Sequence, residues 1–138
     1  MANSTKGADA VSKRLKRLAN RGEVEKAALR ALYVLGQKIE LTAEKSITEG
    51  SISGKGHIPS LPGQPPNADS RDLDTKIETV IVAQSPPRVH VEAYSAHAVP
   101  LEFGTRKMAP RRYLGPATNK HRGEAGNGVA VQVGRLAK

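Results

Sequence analysis

A run of apolar positions between residues 23 and 49 constrains the fold more than any other feature of the chain. Val24, Ala28, Ala31, Leu35, Ile39, Thr42 or Ala43, and Ile47 recur every three or four residues, and Leu32 widens the stripe. That period puts them on one face of an α-helix. Glu23 and Glu25 fall in the first turn, where the helix dipole favours negative charge, and Gly50 stops the run. At 1.5 Å per residue, such a helix spans roughly 40 Å, enough to cross a small domain. Its alanines leave room for a sheet or a second helix to approach closely.

The remaining apolar material is sparse. Of 138 residues, Leu, Ile, Val and Phe make up 29, near the level at which charged chains stop folding alone, and a further 18 are alanine. Tyr33, Tyr94, Phe103 and Tyr113 are the aromatics. One domain of this length buries a core, but a thin one with much loop, so stability borrowed from neighbouring chains is expected. With no cysteine, disulfide scaffolds, thiol nucleophiles and cysteine-ligated zinc drop out. No apolar run approaches a membrane span, and residues 1–7 lack a hydrophobic signal region, so a soluble protein made in a reducing cytoplasm is expected.

The pattern predicts an α+β domain over 1–138, with a helical region at 8–49, an extended loop at 50–70, and a sheet with short helices at 71–138. Val11, Leu15 and Leu18 share one face of a short basic helix over 8–19. Asn20-Arg21-Gly22 then forms a break, since Asn and Gly accept the left-handed conformation. Residues 50–70 hold four Gly, four Pro and four Ser, which favour neither helix nor inner strand. A loop this long is uncommon inside a compact domain. Its apolar Ile52, Ile58 and Leu61 suit an inter-subunit arm that orders on a neighbouring copy.

Beyond the loop, Ile77, Thr79 and Ile81 alternate with Glu78, Val80 and Val82; Val89, Val91 and Ala93 alternate with His90, Glu92 and Tyr94. With Ser85-Pro86-Pro87-Arg88 as the turn, this reads as a β-hairpin that needs a helix over one face. A short helix, a glycine turn at Gly104, a basic loop and a helical start near Tyr113 come next. In the tail, Val129, Val131 and Val133 suit a strand and Val129, Val133 and Leu136 suit a helix; the glycines at 123, 126 and 128 favour a loop and a short strand.

Catalytic chemistry has no candidate set. His57, His90, His97 and His121 lack metal-binding spacings and read as surface or loop histidines, and the glycines form no phosphate loop. Asp69, Asp72 and Asp74 lack the remaining calcium ligands of an EF-hand, so capping and solvation explain them. No cofactor is expected. The net charge is +9, with +4 in residues 1–50, −1 in 51–100 and +6 in 101–138. Lys13, Arg14, Lys16, Arg17 and Arg21, with Arg106, Lys107, Arg111, Arg112, Lys120 and Arg122, either grip phosphates or form a solvated face; both readings stay open. No aromatic platform or helix-turn-helix supports sequence-specific reading.

Three segments carry a family resemblance. Leu61-Pro62-Gly63-Gln64-Pro65-Pro66-Asn67-Ala68-Asp69-Ser70-Arg71-Asp72-Leu73 resembles a "PG-x-PP, then D-T-G-x-L" loop, with Asp72 in the glycine slot. Tyr94 to Thr105, ending Glu102-Phe103-Gly104-Thr105, is similar to "Y-A-x-x-x-E-F-G-T". Met108-Ala109-Pro110-Arg111-Arg112-Tyr113-Leu114-Gly115-Pro116-Ala117 looks like "M-x-A-R-P-[FY]-L-x-P-A". In this order after a long helix, they resemble the head–tail joining (tail-completion, minor tail or neck) protein family of long-tailed phages, prophages and phage-like particles. The resemblance implies a non-enzymatic virion protein of the head–tail interface, made in the bacterial host cytoplasm. It implies a small sheet packed by a long helix, assembled into a generally sixfold homo-oligomeric ring between portal-adaptor neck proteins and the tail tube.

DNA passes through such a channel, and Arg106, Lys107, Arg111 and Arg112 are the candidates to face it. Glu102, Phe103, Gly104 and Thr105 read as an interface turn or, in preference, as a buried structural turn: Phe103 in the core, Gly104 at positive φ, Thr105 capping the next segment. The alternative to the ring subunit is a basic, non-specific nucleic-acid-binding protein.

Overall fold

The long stripe does become a helix. In the computed structural model, which describes residues 2–52 and 54–138, the elements run α1 (Ala2–Ala19), α2 (Arg21–Thr48), β1 (Ile77–Gln84), β2 (Pro87–Ala93), α3 (Ala98–Phe103), α4 (Leu114–His121) and α5 (Ala125–Arg135). The architecture is α+β: helices packed against a two-stranded antiparallel sheet.

Helix α1 is longer than the predicted 8–19. The break after it falls at Asn20, though not by a left-handed residue. Asn20 is extended (φ −78°, ψ 102°), and its side-chain oxygen accepts the backbone N–H of Glu23 at 3.3 Å, which makes it the N-cap of α2. The capping role of a short polar side chain outcompetes the αL role because a second helix starts at once. Arg21 and Glu25, one turn apart, add a 2.8 Å ion pair.

The 28-residue α2 is the axis of the molecule. The hairpin, α4 and α5 all pack on it. Its buried face is made of small residues interleaved with isoleucines: Ala27, Ala31, Gly36, Ile39, Ala43 and Ile47. At Gly36 the sheet comes in closest. A Cβ there would lie 2.5 Å from Thr79 Cγ2 and 3.2 Å from Val89 Cγ1. The same Thr79 donates its hydroxyl to Glu40 Oε2 at 2.6 Å, so the buried hydroxyl is satisfied.

In the hairpin, Ile77 pairs with Ala93, Thr79 with Val91 and Ile81 with Val89. Ile77 and Thr79 are buried, and Ile81 is 46% exposed. The register shifts between Ile81 and Ala83, which breaks the period-two pattern of the inward face. The core collects Ile39, Ala43, Ile47, Ala68, Leu73, Ile77, Ala98, Tyr113 and Ala117. Tyr113 and Ile47 are its largest fully buried side chains.

The tail departs from the expected loop and strand. Residues 125–135 form α5 on α2, with Val129, Val133 and Leu136 half-buried and Val131 57% exposed. The helical period wins because α2 offers it a face, whereas a strand would need a paired edge. Lys38 clamps the junction through Glu124 at 3.0 Å, and His121 bridges Thr42 Oγ1 (2.7 Å) and Glu124 Oε1 (3.0 Å). His121 is therefore turned into the α2 packing, not a free surface histidine. The bonds from His121 and Lys38 hold the Glu124 carboxyl below its ordinary value.

Gly36→Ala is expected to destabilise the fold by about 1–3 kcal/mol, since overpacking against Thr79 outweighs the helix-propensity gain. Gly128→Ala, whose Cβ would meet only the Ala31 Cβ at 3.8 Å, is expected to be neutral or stabilising. Urea denaturation of the two variants checks the opposite signs.

Candidate assembly surface

The Glu102-Phe103-Gly104-Thr105 turn arises from the chain's local chemistry. Helix α3 ends at Phe103, and Gly104 continues at φ 77°, the region that side chains rarely adopt. Its N–H donates to Pro100 O at 2.8 Å. A Cβ at Gly104 would meet Met108 O and Pro110 Cδ, each at 2.9 Å. Thr105 and Met108 then exchange backbone hydrogen bonds (2.9 and 3.3 Å), and Thr105 Oγ1 accepts from Lys107 N at 3.3 Å. The result is a tight turn with Arg106 and Lys107 at its tip.

Glu102 fastens the far end of this loop. Its Oε2 accepts the N–H groups of Tyr113 (3.0 Å) and Leu114 (3.1 Å), and its Oε1 accepts that of Gly115 (2.8 Å). One carboxylate thus satisfies three orphan donors at the start of α4. Gly115 leaves room for it: a Cβ there would lie 2.7 Å from Oε1. Beside it, Tyr113 is buried, and burial together with the Glu102 charge pushes its phenol up to about 12.

Phe103 does not enter the core. It is 70% exposed, and Val99 beside it on α3 is 66% exposed. The end of α3 turns the ring outward, while Tyr113 takes the interior place expected for Phe103. Val99 and Phe103 line an open groove of about 400 Å³ with Ala98, Leu114 and Ala93.

The basic residues separate. Arg106, Lys107 and Arg112 are exposed, whereas Arg111 is half-buried with its Nε enclosed and its backbone N–H on Leu101 O at 2.7 Å. Arg111 is therefore set apart from the other three, which are exposed. On α1, Lys13, Arg14, Lys16 and Arg17 are exposed, and so are Val11, Leu15 and Leu18 of the opposing stripe.

Loop 50–70 is tied down at its far end: Ala68 N donates to Ile47 O at 2.9 Å, and Asn67 Nδ2 to Ile58 O at 2.8 Å. Its apolar side chains stay outside, with Ile52, Ile58 and Leu61 each more than half exposed. The first and third motifs meet in space: Pro62, Gly63 and Pro65 share a groove with Ala109, Pro110, Arg112 and Pro116. Aligned on Asp69 and Leu73, the D-T-G-x-L pattern puts Arg71 and not Asp72 in the glycine slot, and Arg71 there has a positive φ (63°). Asp72 instead bonds Ser95 Oγ at 2.6 Å and pairs with Lys76 at 2.5 Å, and these partners lower its carboxyl from the ordinary value. Asp74 is buried against Arg71 at 2.6 Å, so solvation does not account for it. No group of three or more His, Cys, Asp or Glu among the described residues is placed to hold a metal ion. No helix among them is long and apolar enough to cross a membrane.

Glu102→Ala leaves the three amides at the start of α4 without their acceptor, and a loss of about 1–3 kcal/mol is expected. Gly104→Ala is expected to cost a similar amount, from the positive φ and the contacts with Met108 and Pro110. Chemical denaturation of the isolated protein measures both; unchanged midpoints would contradict the clamp and the turn. No protein-family model matches the chain, and neither a curated protein nor a solved structure does.

Proposed function

We propose that this protein is a structural subunit of the head–tail junction of a phage-like particle, completed by contact with sister copies in a ring. One observation carries the reading. Val99, Phe103, Tyr94, Ile52, Ile58 and Leu61 are all more than half exposed, while among the described residues the large apolar side chains in the core are Ile39, Ile47, Leu73, Ile77 and Tyr113. A protomer that leaves this many bulky apolar residues exposed gains by burying them against another copy. Ring contacts are heterologous, so one subunit presents two different surfaces, and the Val99–Phe103 groove and the 50–70 arm offer two. The motif resemblance supplies the particle context, with neck, adaptor and tail-tube proteins as neighbours and the virion as the place of action. The role is structural and not enzymatic.

The exposed cations of α1 and the Arg106–Lys107 tip favour a second reading, a basic non-specific nucleic-acid binder. The two separate by experiment. A ring subunit forms a discrete oligomer by light scattering, and Val99→Glu with Phe103→Glu returns it to a monomer that keeps its helical circular dichroism, because both positions are exposed in the protomer. A wild-type chain that stays monomeric at every concentration, binds DNA, and loses that affinity steeply with salt would replace the first reading by the second.

A further inference from the structure

Helix α1 stands away from the rest of its own protomer. Every residue from 6 to 19 is exposed, those of the apolar stripe (Val11, Leu15 and Leu18) as much as those of the basic side. A helix in water owes most of its stability to packing of its apolar face, and no described residue of the protomer covers this one. Arg14 and Arg17 flank the stripe on one side, three residues apart, which puts their Cβ atoms about 5–6 Å from each other. Neither has an acidic partner among the described residues.

The hairpin has a matching oddity. On its face turned away from α2, Glu78 and Glu92 are register partners, and both are exposed. Like charges directly opposite each other on paired strands are destabilising, and their Cβ atoms stand about 4.5–5.5 Å apart. His90 lies 3.5 Å from Glu92. Arg88 is at the turn end, opposite Ala83 and about 13 Å along the strand from Glu92. The glutamates sit between Tyr94 on one side and Val80 and Val82 on the other, and Tyr94 and Val82 are 58% and 46% exposed. An apolar strip with an acidic pair is the complement of an apolar strip with a basic pair at nearly the same spacing.

The chain's other surfaces fit α1 less well. A second α1 would set its cations against those of the first, with Asp9 alone to offset them. The Val99–Phe103 groove has Glu102 on its wall, but that carboxylate is spent on the amides of Tyr113, Leu114 and Gly115. We propose that α1 of one copy packs across the outer face of the next copy's hairpin, with Val11, Leu15 and Leu18 on Val80, Val82 and Tyr94, and Arg14 and Arg17 on Glu78 and Glu92. Such a contact joins two different surfaces and so repeats around a ring. It rests on the ring reading, but it uses neither the Val99–Phe103 groove nor the 50–70 arm.

The test is sedimentation velocity of the full chain. Glu78→Lys with Glu92→Lys, and separately Arg14→Glu with Arg17→Glu, are each expected to weaken association about tenfold while keeping the helical circular dichroism, since all four positions are exposed. Mixing the two variants in equal amounts is expected to restore assembly, because each then meets the opposite charge on its neighbour. In the wild-type chain, amide hydrogen exchange over residues 11–18 is expected to be slower in the oligomer than in dilute monomer. An oligomer indifferent to both reversals, a mixture no better than its parts, or equally fast exchange in both states would overturn this contact and leave the ring reading standing. A chain monomeric at every concentration would overturn both. Reversal at Arg14 and Arg17 that lowers DNA affinity and leaves association unchanged would assign α1 to nucleic acid instead.

Discussion

Everything else in the fold leans on how closely the hairpin approaches α2. A chain with few bulky apolar residues cannot fill a wide space between helix and sheet. It closes the space instead. Gly36 lets Thr79 and Val89 sit where a methyl group would stand, and Ala27, Ala31 and Ala43 keep the rest of that helix face low. Dispersion falls off steeply with separation, so a thin interface of small residues at close contact holds as well as a thick one with gaps. Ile47 and Tyr113 then seal the far end, where loop 50–70 returns to the helix through Ala68 and Ile47.

That economy has a consequence at the surface. The interior takes Ile39, Ile47, Leu73, Ile77 and Tyr113, and many of the other large apolar residues stay outside, among them those on α3, the 50–70 loop and α1. Water contact with such side chains is unfavourable at roughly 25 cal/mol per Å² of apolar area. Those on α3 and the loop are carried on anchored segments: α3 is bound into the core by Ala98 and tied to α4 by Glu102, and the loop is fixed by Asn67 and Ala68. Preorganised apolar surface of this kind loses less entropy on association than a floppy arm does.

Legibility in the sequence varies with how local the deciding interaction is. The long helix, the hairpin and the positive φ at Gly104 rest on period and on a single residue's backbone freedom, so they can be read directly. Asn20 reads as a helix end and is an N-cap, because a short polar residue serves either terminus and only the next helix decides. Phe103 reads as core and lies outside, because hydrophobicity names a preference for burial and not a direction; the end of α3 sets that. Glu102 is legible as part of a turn, but its three amide partners lie eleven to thirteen residues on. Gly36 carries a faint signal, as a glycine inside a helical stripe.

The residues alone determined that this chain would be an α+β domain built on one long helix, short of bulky core, strongly basic, and interrupted by a Gly- and Pro-rich loop. Those properties come from composition and from periodicity along the chain, which need no knowledge of what lies opposite. Tertiary structure alone decided that the tail would be a helix, that the Arg111 Nε would be enclosed while Arg106, Lys107 and Arg112 stay exposed, and that Ser60, Asp74 and Arg111 would line one cavity. Each of these depends on which surface a side chain meets, and that surface comes from a distant part of the sequence.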